Sequence, residues 1–189
     1  MPNRQFLQAI DQALHNRTQQ AQSHGQQVRE FLNANPSAAR YVIGKNAESA
    51  ALSKLIPIAG VIDDHAQATS WNGLPLVKMT DVPRQAWVLN CSTSIAPVNV
   101  DRALKQAGFD HVLSLSDLLQ HPQCPSELLP QFVYEQHHDY TQHISDWSAL
   151  YNRMADEVSR QTLLDVLRFR LTADPHHMQN YSVRFQDQY

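Results

Sequence analysis

A glycine turn and a pair of acids are spaced along this chain as they would be around a nucleotide. Gly44 follows the apolar run Tyr41-Val42-Ile43, and Asp63-Asp64 follow a second, Val61-Ile62, so Asp63 stands 19 residues beyond Gly44. A carboxylate about 20 residues after a glycine turn is placed to accept hydrogen bonds from ribose hydroxyls. The turn itself reads Gly44-Lys45-Asn46-Ala47-Glu48-Ser49, with Asn46 and Ser49 where a dinucleotide fingerprint has its second and third glycines. A side chain at the second position blocks a diphosphate from the backbone, and Glu48 adds negative charge where phosphate would sit. Asn46 reads instead as a helix N-cap, contributing about 1 kcal/mol, and Glu48 as a first-turn acid contributing roughly 0.3–1 kcal/mol. A further apolar run, residues 86–90, brings Asn90 to the same edge, followed by Ser92 and Thr93. The candidate ligand-binding residues are therefore Gly44, Asn46, Asp63, Asp64, Asn90, Ser92 and Thr93.

Other chemistry has weaker support. The ten histidines include His137-His138 near His143, and His176-His177, but no glutamate or cysteine stands at a zinc-like spacing from them. They read as surface or half-buried side chains, and no metal ligand is assigned. No Gly-x-Ser-x-Gly elbow is present, and Cys91 lacks a base or a helix N-terminus nearby, so no catalytic residue is assigned. Two cysteines, Cys91 and Cys124, do not make a disulfide framework.

The elements that must position these residues alternate. Strands are expected at residues 40–43, 58–62, 76–78, 86–90 and 111–113, and helices at 46–56 and 98–107, the latter closed by Gly108. Strands apolar at consecutive positions suit a parallel sheet covered on both faces. The fold class is therefore α/β: a Rossmann-like parallel sheet of about five strands, with a long N-terminal helix and a C-terminal helical extension. The expected divisions are residues 1–36, a helical segment; 37–122, the Rossmann-like domain; and 123–189, the extension. In the first, Phe6, Ile10 and Leu14 mark a stripe, Val28 and Phe31 another, and a glutamine-rich centre has little to bury. It bridges solvent, pairs with a second copy, or breaks at Gly25. In the last, helices are expected at 126–140, 145–154 and 156–172.

Composition sets the outer bounds. In 189 residues, 42% hydrophobic and 17% charged, net charge is −3, which gives no global field for nucleic acid or anionic lipid. No apolar run approaches the roughly 18 residues of a membrane helix, and Met1-Pro2-Asn3-Arg4-Gln5 lacks the apolar core of a signal peptide, so a cytoplasmic location is expected.

Residues 151–160, Tyr-Asn-Arg-Met-Ala-Asp-Glu-Val-Ser-Arg, and 167–174, Leu-Arg-Phe-Arg-Leu-Thr-Ala-Asp, form a distinctive helical pattern. It resembles the "LADExSR … LRYRLTGD" signature that precedes the catalytic core of FkbM-type methyltransferases. Residues 41–44, Gly60-Val61-Ile62-Asp63-Asp64 and Gly73-Leu74-Pro75-Leu76-Val77 resemble the upstream parts of the same proteins. The resemblance runs from Tyr41 to Tyr189. It implies the N-terminal region of such a protein, ending before the glycine-rich loop that holds S-adenosylmethionine, a cofactor expected only with a downstream catalytic domain. By resemblance, then, the chain is a noncatalytic substrate-recognition or docking module in a sugar, glycan or natural-product context. The partners implied are a methyltransferase domain in cis or trans and a sugar or nucleotide-sugar ligand. Two alternatives stand beside it: a nucleotide- or sugar-nucleotide-binding enzyme using the strand C-termini, and an oligomerisation protein acting through the N-terminal helix as a homodimer. Arg168 and Arg170, two residues apart on one helix, serve different faces; one is expected to buttress the sheet and the other to meet a neighbouring module.

Overall fold

The computed structural model describes residues 2–33, 38–93, 97–122 and 124–181, without the side chains of residues 16–23 and 97. The glutamine-rich segment is two helices, α1 (Arg4–Ser23) and α2 (Gly25–Leu32), broken at His24. The break lets each helix bury its own stripe: Phe6 and Ile10 of α1 go into one core, Val28 and Phe31 of α2 into another.

The α/β unit then runs β1 (Arg40–Ile43), α3 (Ala47–Leu55), β2 (Gly60–Ile62), β3 (Ser70–Trp71), β4 (Leu74–Val77), β5 (Trp87–Asn90), α4 (Pro97–Gln106), β6 (His111–Ser114) and α5 (Leu115–Leu119). The sheet is six-stranded, in the order β3-β4-β2-β1-β5-β6. Val42 of β1 is paired with Val61 of β2 on one side and Leu89 of β5 on the other, both parallel. β5 continues in parallel to β6, with Asn90 opposite Ser114.

The expected five parallel strands are thus present, with one antiparallel addition: β3 pairs β4 through Ser70–Pro75 and Trp71–Leu74. Asn72 and Gly73 both take positive φ, 48° and 79°, which suits the tight hairpin between them. A strand of two residues is too short to show any period, so nothing in its own sequence marks it.

Alternate residues of the strands feed two cores. Val42, Leu89 and Leu113 pack with α2 and Leu52 of α3 on one face. Ile62 and Val88 pack with Leu104 of α4 and Phe109 on the other.

Helices α6 (Gln131–Gln142), α7 (Ile144–Arg153) and α8 (Glu157–Thr172) follow, then a 3₁₀ turn, Pro175–Met178. Their core holds Tyr140, Tyr151, Leu164, Leu167 and Leu171, and it is completed by Phe6 and Ile10 from the opposite end of the chain. Several residues of the helical pattern have local work. Asp156 caps α8 by accepting from Ser159 N at 2.8 Å; Arg160 pairs with Glu157 at 3.7 Å and donates to Met154 O. Ala173 ends the helix at φ 55°, its N–H bonded to Phe169 O.

The two arginines do face apart, and their side-chain bonds run to helices rather than to the sheet. Arg168 Nε donates to Ala9 O of α1, and Arg170 Nε donates to Gln136 Oε1 of α6. With four helices packed around one core, α8 has inward neighbours on both of those sides. Among the described residues no helix is long and apolar enough to cross a membrane.

Candidate functional site

In this strand order the chain leaves β1 toward β2 and β4, then returns to the other flank of β1 as β5. Loops leaving β1 and β5 therefore diverge, and the crevice between them is where ligands of open α/β sheets bind. Here the two loops are fastened together. Gly44 has φ 109°, and a Cβ added there would lie 3.0 Å from Cys91 C and 3.1 Å from Ser92 N. Contacts that close leave room only for glycine, so Gly44 serves packing between loops.

Asn46 closes the crevice further. Its Nδ2 donates to Cys91 O at 2.5 Å, while its Oδ1 accepts from Ser49 N at 3.0 Å. Ser49 Oγ in turn lies 3.2 Å from Asn46 N and donates to Gly44 O at 2.7 Å. This capping box occupies Asn46 N and Ser49 N, two of the donors that a phosphate at the α3 N-terminus would use. The Cys91 thiol is fully buried, and burial, helped by the charge of Glu48, pushes its pKa far up, so it is no nucleophile.

The other candidates are also engaged. Asp63 lies 2.6 Å from Lys45 Nζ and accepts from His65 N. The Lys45 hydrogen bond, acting against burial, holds the Asp63 carboxyl below its ordinary range. Asp64 faces another way, accepting from Met79 N at 2.7 Å to secure the turn after β4. Asn90 Oδ1 accepts from Ser92 N at 2.9 Å, and its Nδ2 donates to Asp101 Oδ1 of α4 at 2.6 Å. Ser92 and Thr93 are half-buried beside it. The structure thus brings Gly44, Asn46, Asn90, Ser92 and Thr93 to one edge, puts Asp63 one strand out, and leaves Asp64 apart.

His137 and His143 make separate bonds, His143 Nδ1 lying 3.5 Å from Asp146 Oδ2. His137 Nε2 bonds Leu171 O at 2.8 Å, and Asp139 accepts from Trp147 Nε1 rather than joining His143. Among the described residues no group of three or more His, Cys, Asp or Glu is arranged to hold a metal.

Sequence reasoning missed two clusters. One is Ser114-Leu115-Ser116-Asp117, a capping box whose spacing was readable, with His24 Nδ1 bonded to Asp117 Oδ1 at 2.7 Å. Ser114 Oγ donates into the Asp117 carboxylate rather than toward the imidazole, so the trio is not a nucleophile and its base. The other joins α4 to the 3₁₀ turn: Asp101, Arg102 and Lys105 line a pocket with His176. The four-residue step from Asp101 to Lys105 was visible; the approach of His176, far along the chain, was not.

No family model and no curated protein sequence matches the chain. A solved structure does: the crystal structure of methyltransferase FkbM from Methylobacillus flagellatus KT, with a TM-score of 0.55 and 21% identity. The match covers 93% of this chain and 50% of that one, so the chain spans about half that protein's length. At this identity the likeness is one of fold, and it accords with the resemblance read from the motifs.

Proposed function

We propose that this chain is a noncatalytic recognition or docking module of the kind that accompanies an FkbM-type methyltransferase domain. The observation that carries this reading is the fastened crevice: Asn46 spans from the α3 N-terminus to Cys91 O, over a Gly44 pressed on the opposite loop. A diphosphate there would have to displace the half-buried Asn46 side chain and its bonds, each exchange costing about 1–3 kcal/mol. The fold likeness to half of a methyltransferase supports the context. Modification of a sugar or natural-product hydroxyl follows from that context, and the module's task is to hold the substrate or the catalytic domain.

Amide NMR signals of Gly44, Asn46 and Ser92 test the reading. They are expected to stay in place when S-adenosylmethionine, NAD or a uridine-diphosphate sugar is added, and the chain alone is expected to transfer no methyl group. An FkbM-type catalytic domain supplied in trans is expected to co-elute with the chain. Saturable movement of those signals with a nucleotide would favour the nucleotide-sugar enzyme instead, and failure to associate with the catalytic domain would remove the docking role.

A further inference from the structure

Between α4 and the 3₁₀ turn Pro175–Met178 lies a pocket of about 420 Å³, lined by Val98, Asp101, Arg102, Lys105, Gln106 and His176. The volume falls within the roughly 300–1,000 Å³ of small-ligand sites. Val98, Asp101, Arg102 and Lys105 step three and four residues along one face of α4. Lys105 sits in its last turn, where the helix dipole favours a cation. The dipole does not account for the meeting of Lys105 with Arg102 and with a histidine from another element.

Neither Arg102 nor Lys105 forms an ion pair among the described residues. Arg102 Nη1 reaches only Asn99 Oδ1, at 3.4 Å. His176 is anchored from behind: its Nδ1 bonds Asp174 Oδ1 at 2.9 Å, and Asp174 is itself buried. Nε2, on the opposite edge of the ring, makes no hydrogen bond among the described residues.

We propose that this pocket binds a small oxyanion, the phosphate or carboxylate of a low-molecular-weight metabolite, between the Arg102 guanidinium, the Lys105 ammonium and the His176 imidazolium. The proposal goes beyond the docking role and stands without it, because none of these residues belongs to the fastened crevice. Arg and Lys both recognise such groups, Arg through a planar fork and Lys as a point charge.

Among the described residues Asp101 is the one acid in the wall. Its carboxyl is tied to Asn90, and burial pushes its pKa up against that bond, so mild acid removes its charge more readily than usual. His176 is raised mainly by its hydrogen bond to Asp174, against burial. The charges facing His176 are Asp174 on its own turn and Asp101 and Lys105 from α4. His177 is adjacent, and on α8, packed against the turn, Asp165 and Arg168 act on His177. Lowering the pH therefore adds positive charge to the pocket on both sides, and anion affinity rises.

The test is an NMR titration of the whole chain with sulfate, inorganic phosphate and succinate, following the Lys105 and His176 signals. Sulfate keeps its charge between about pH 5.5 and about pH 8, so a change in its affinity comes from the protein. Saturable binding is expected, stronger at the acid end. Lys105→Met is expected to weaken it by roughly tenfold, the loss of one charge-assisted contact. Asp101→Asn is expected to tighten it, a gain that misfolding cannot imitate. A preference for phosphate or for succinate identifies the anion. Shifts that do not saturate, or an affinity unchanged in Lys105→Met with its amide spectrum intact, would overturn the proposal.

Discussion

Asp174 shows how one carboxylate holds a turn and a histidine together. It accepts from His176 N and bonds the same residue's ring, both at 2.9 Å. Burial works against its charge, yet these bonds hold Asp174 below its ordinary range, while His176 is raised above its own. The raised histidine contributes stability fully below its unfolded value, lost as pH rises through the folded one. The lowered carboxylate contributes above its unfolded value, lost as pH falls through the folded one. The pair therefore contributes most between roughly pH 4 and pH 6.5, the two unfolded values. Asp174→Asn keeps the cap acceptor and removes the charge. Urea unfolding across pH is expected to show about 1 kcal/mol lost within that window, discounted because the His176 side chain is 56% exposed. A profile identical to that of the parent chain would contradict the pairing. Residue chemistry of this kind was partly legible: Asn46 was readable as a cap because a cap acts within three residues, and Asp156 caps α8 over the same short reach. Their partners across the fold, such as Cys91 O for Asn46, were not.

Among the elements, α1 bears most on how the chain is read. Its stripe of Phe6 and Ile10 suited a homodimer as well as it suited an internal core, because periodicity shows that a face is apolar and not what covers it. In the structure both side chains are wholly buried, with Phe6 centred 5.4 Å from the Tyr151 ring and 6.4 Å from Tyr140. Making Phe6 and Ile10 polar would therefore disturb the fold before it reported on association. Phe6→Ala is expected to cost about 3–5 kcal/mol in chemical denaturation, as large-to-small changes of a buried aromatic do. A loss under about 1 kcal/mol would mean that the α1–α8 packing contributes little. Helix α8 shows the same boundary. Its cap and its left-handed end at Ala173 are local, whereas the assignment of Arg168 to α1 and Arg170 to α6 depended on which helices arrived beside it.

Across the whole molecule the N-terminal pair acts as a clasp: α1 completes the helical core, and α2 lays Val28 and Phe31 on the sheet. The two cores are thereby linked through the short break at His24. Variants keeping only Trp87, in the sheet core, or only Trp147, packed on the helical one, are expected to report a single shared unfolding transition. A flexible glycine insertion between His24 and Gly25 is expected to separate the two curves. Separate curves in the uninterrupted chain would show that the clasp does not couple them.

What the amino-acid order determined by itself was local: the inner parallel strands, the caps of α3 and α8, the close of α4 at Gly108, and a glycine turn unfit for diphosphate. These rest on interactions a few residues long, so composition and spacing reveal them. Only the tertiary structure decided that Asn46 would lock onto Cys91, that the chain's two ends would share a core, and that His176 would meet α4. Bringing distant residues together costs only slowly more as the intervening chain lengthens. Separation along the sequence therefore says little about which surfaces meet, and their fit in three dimensions selects the partners.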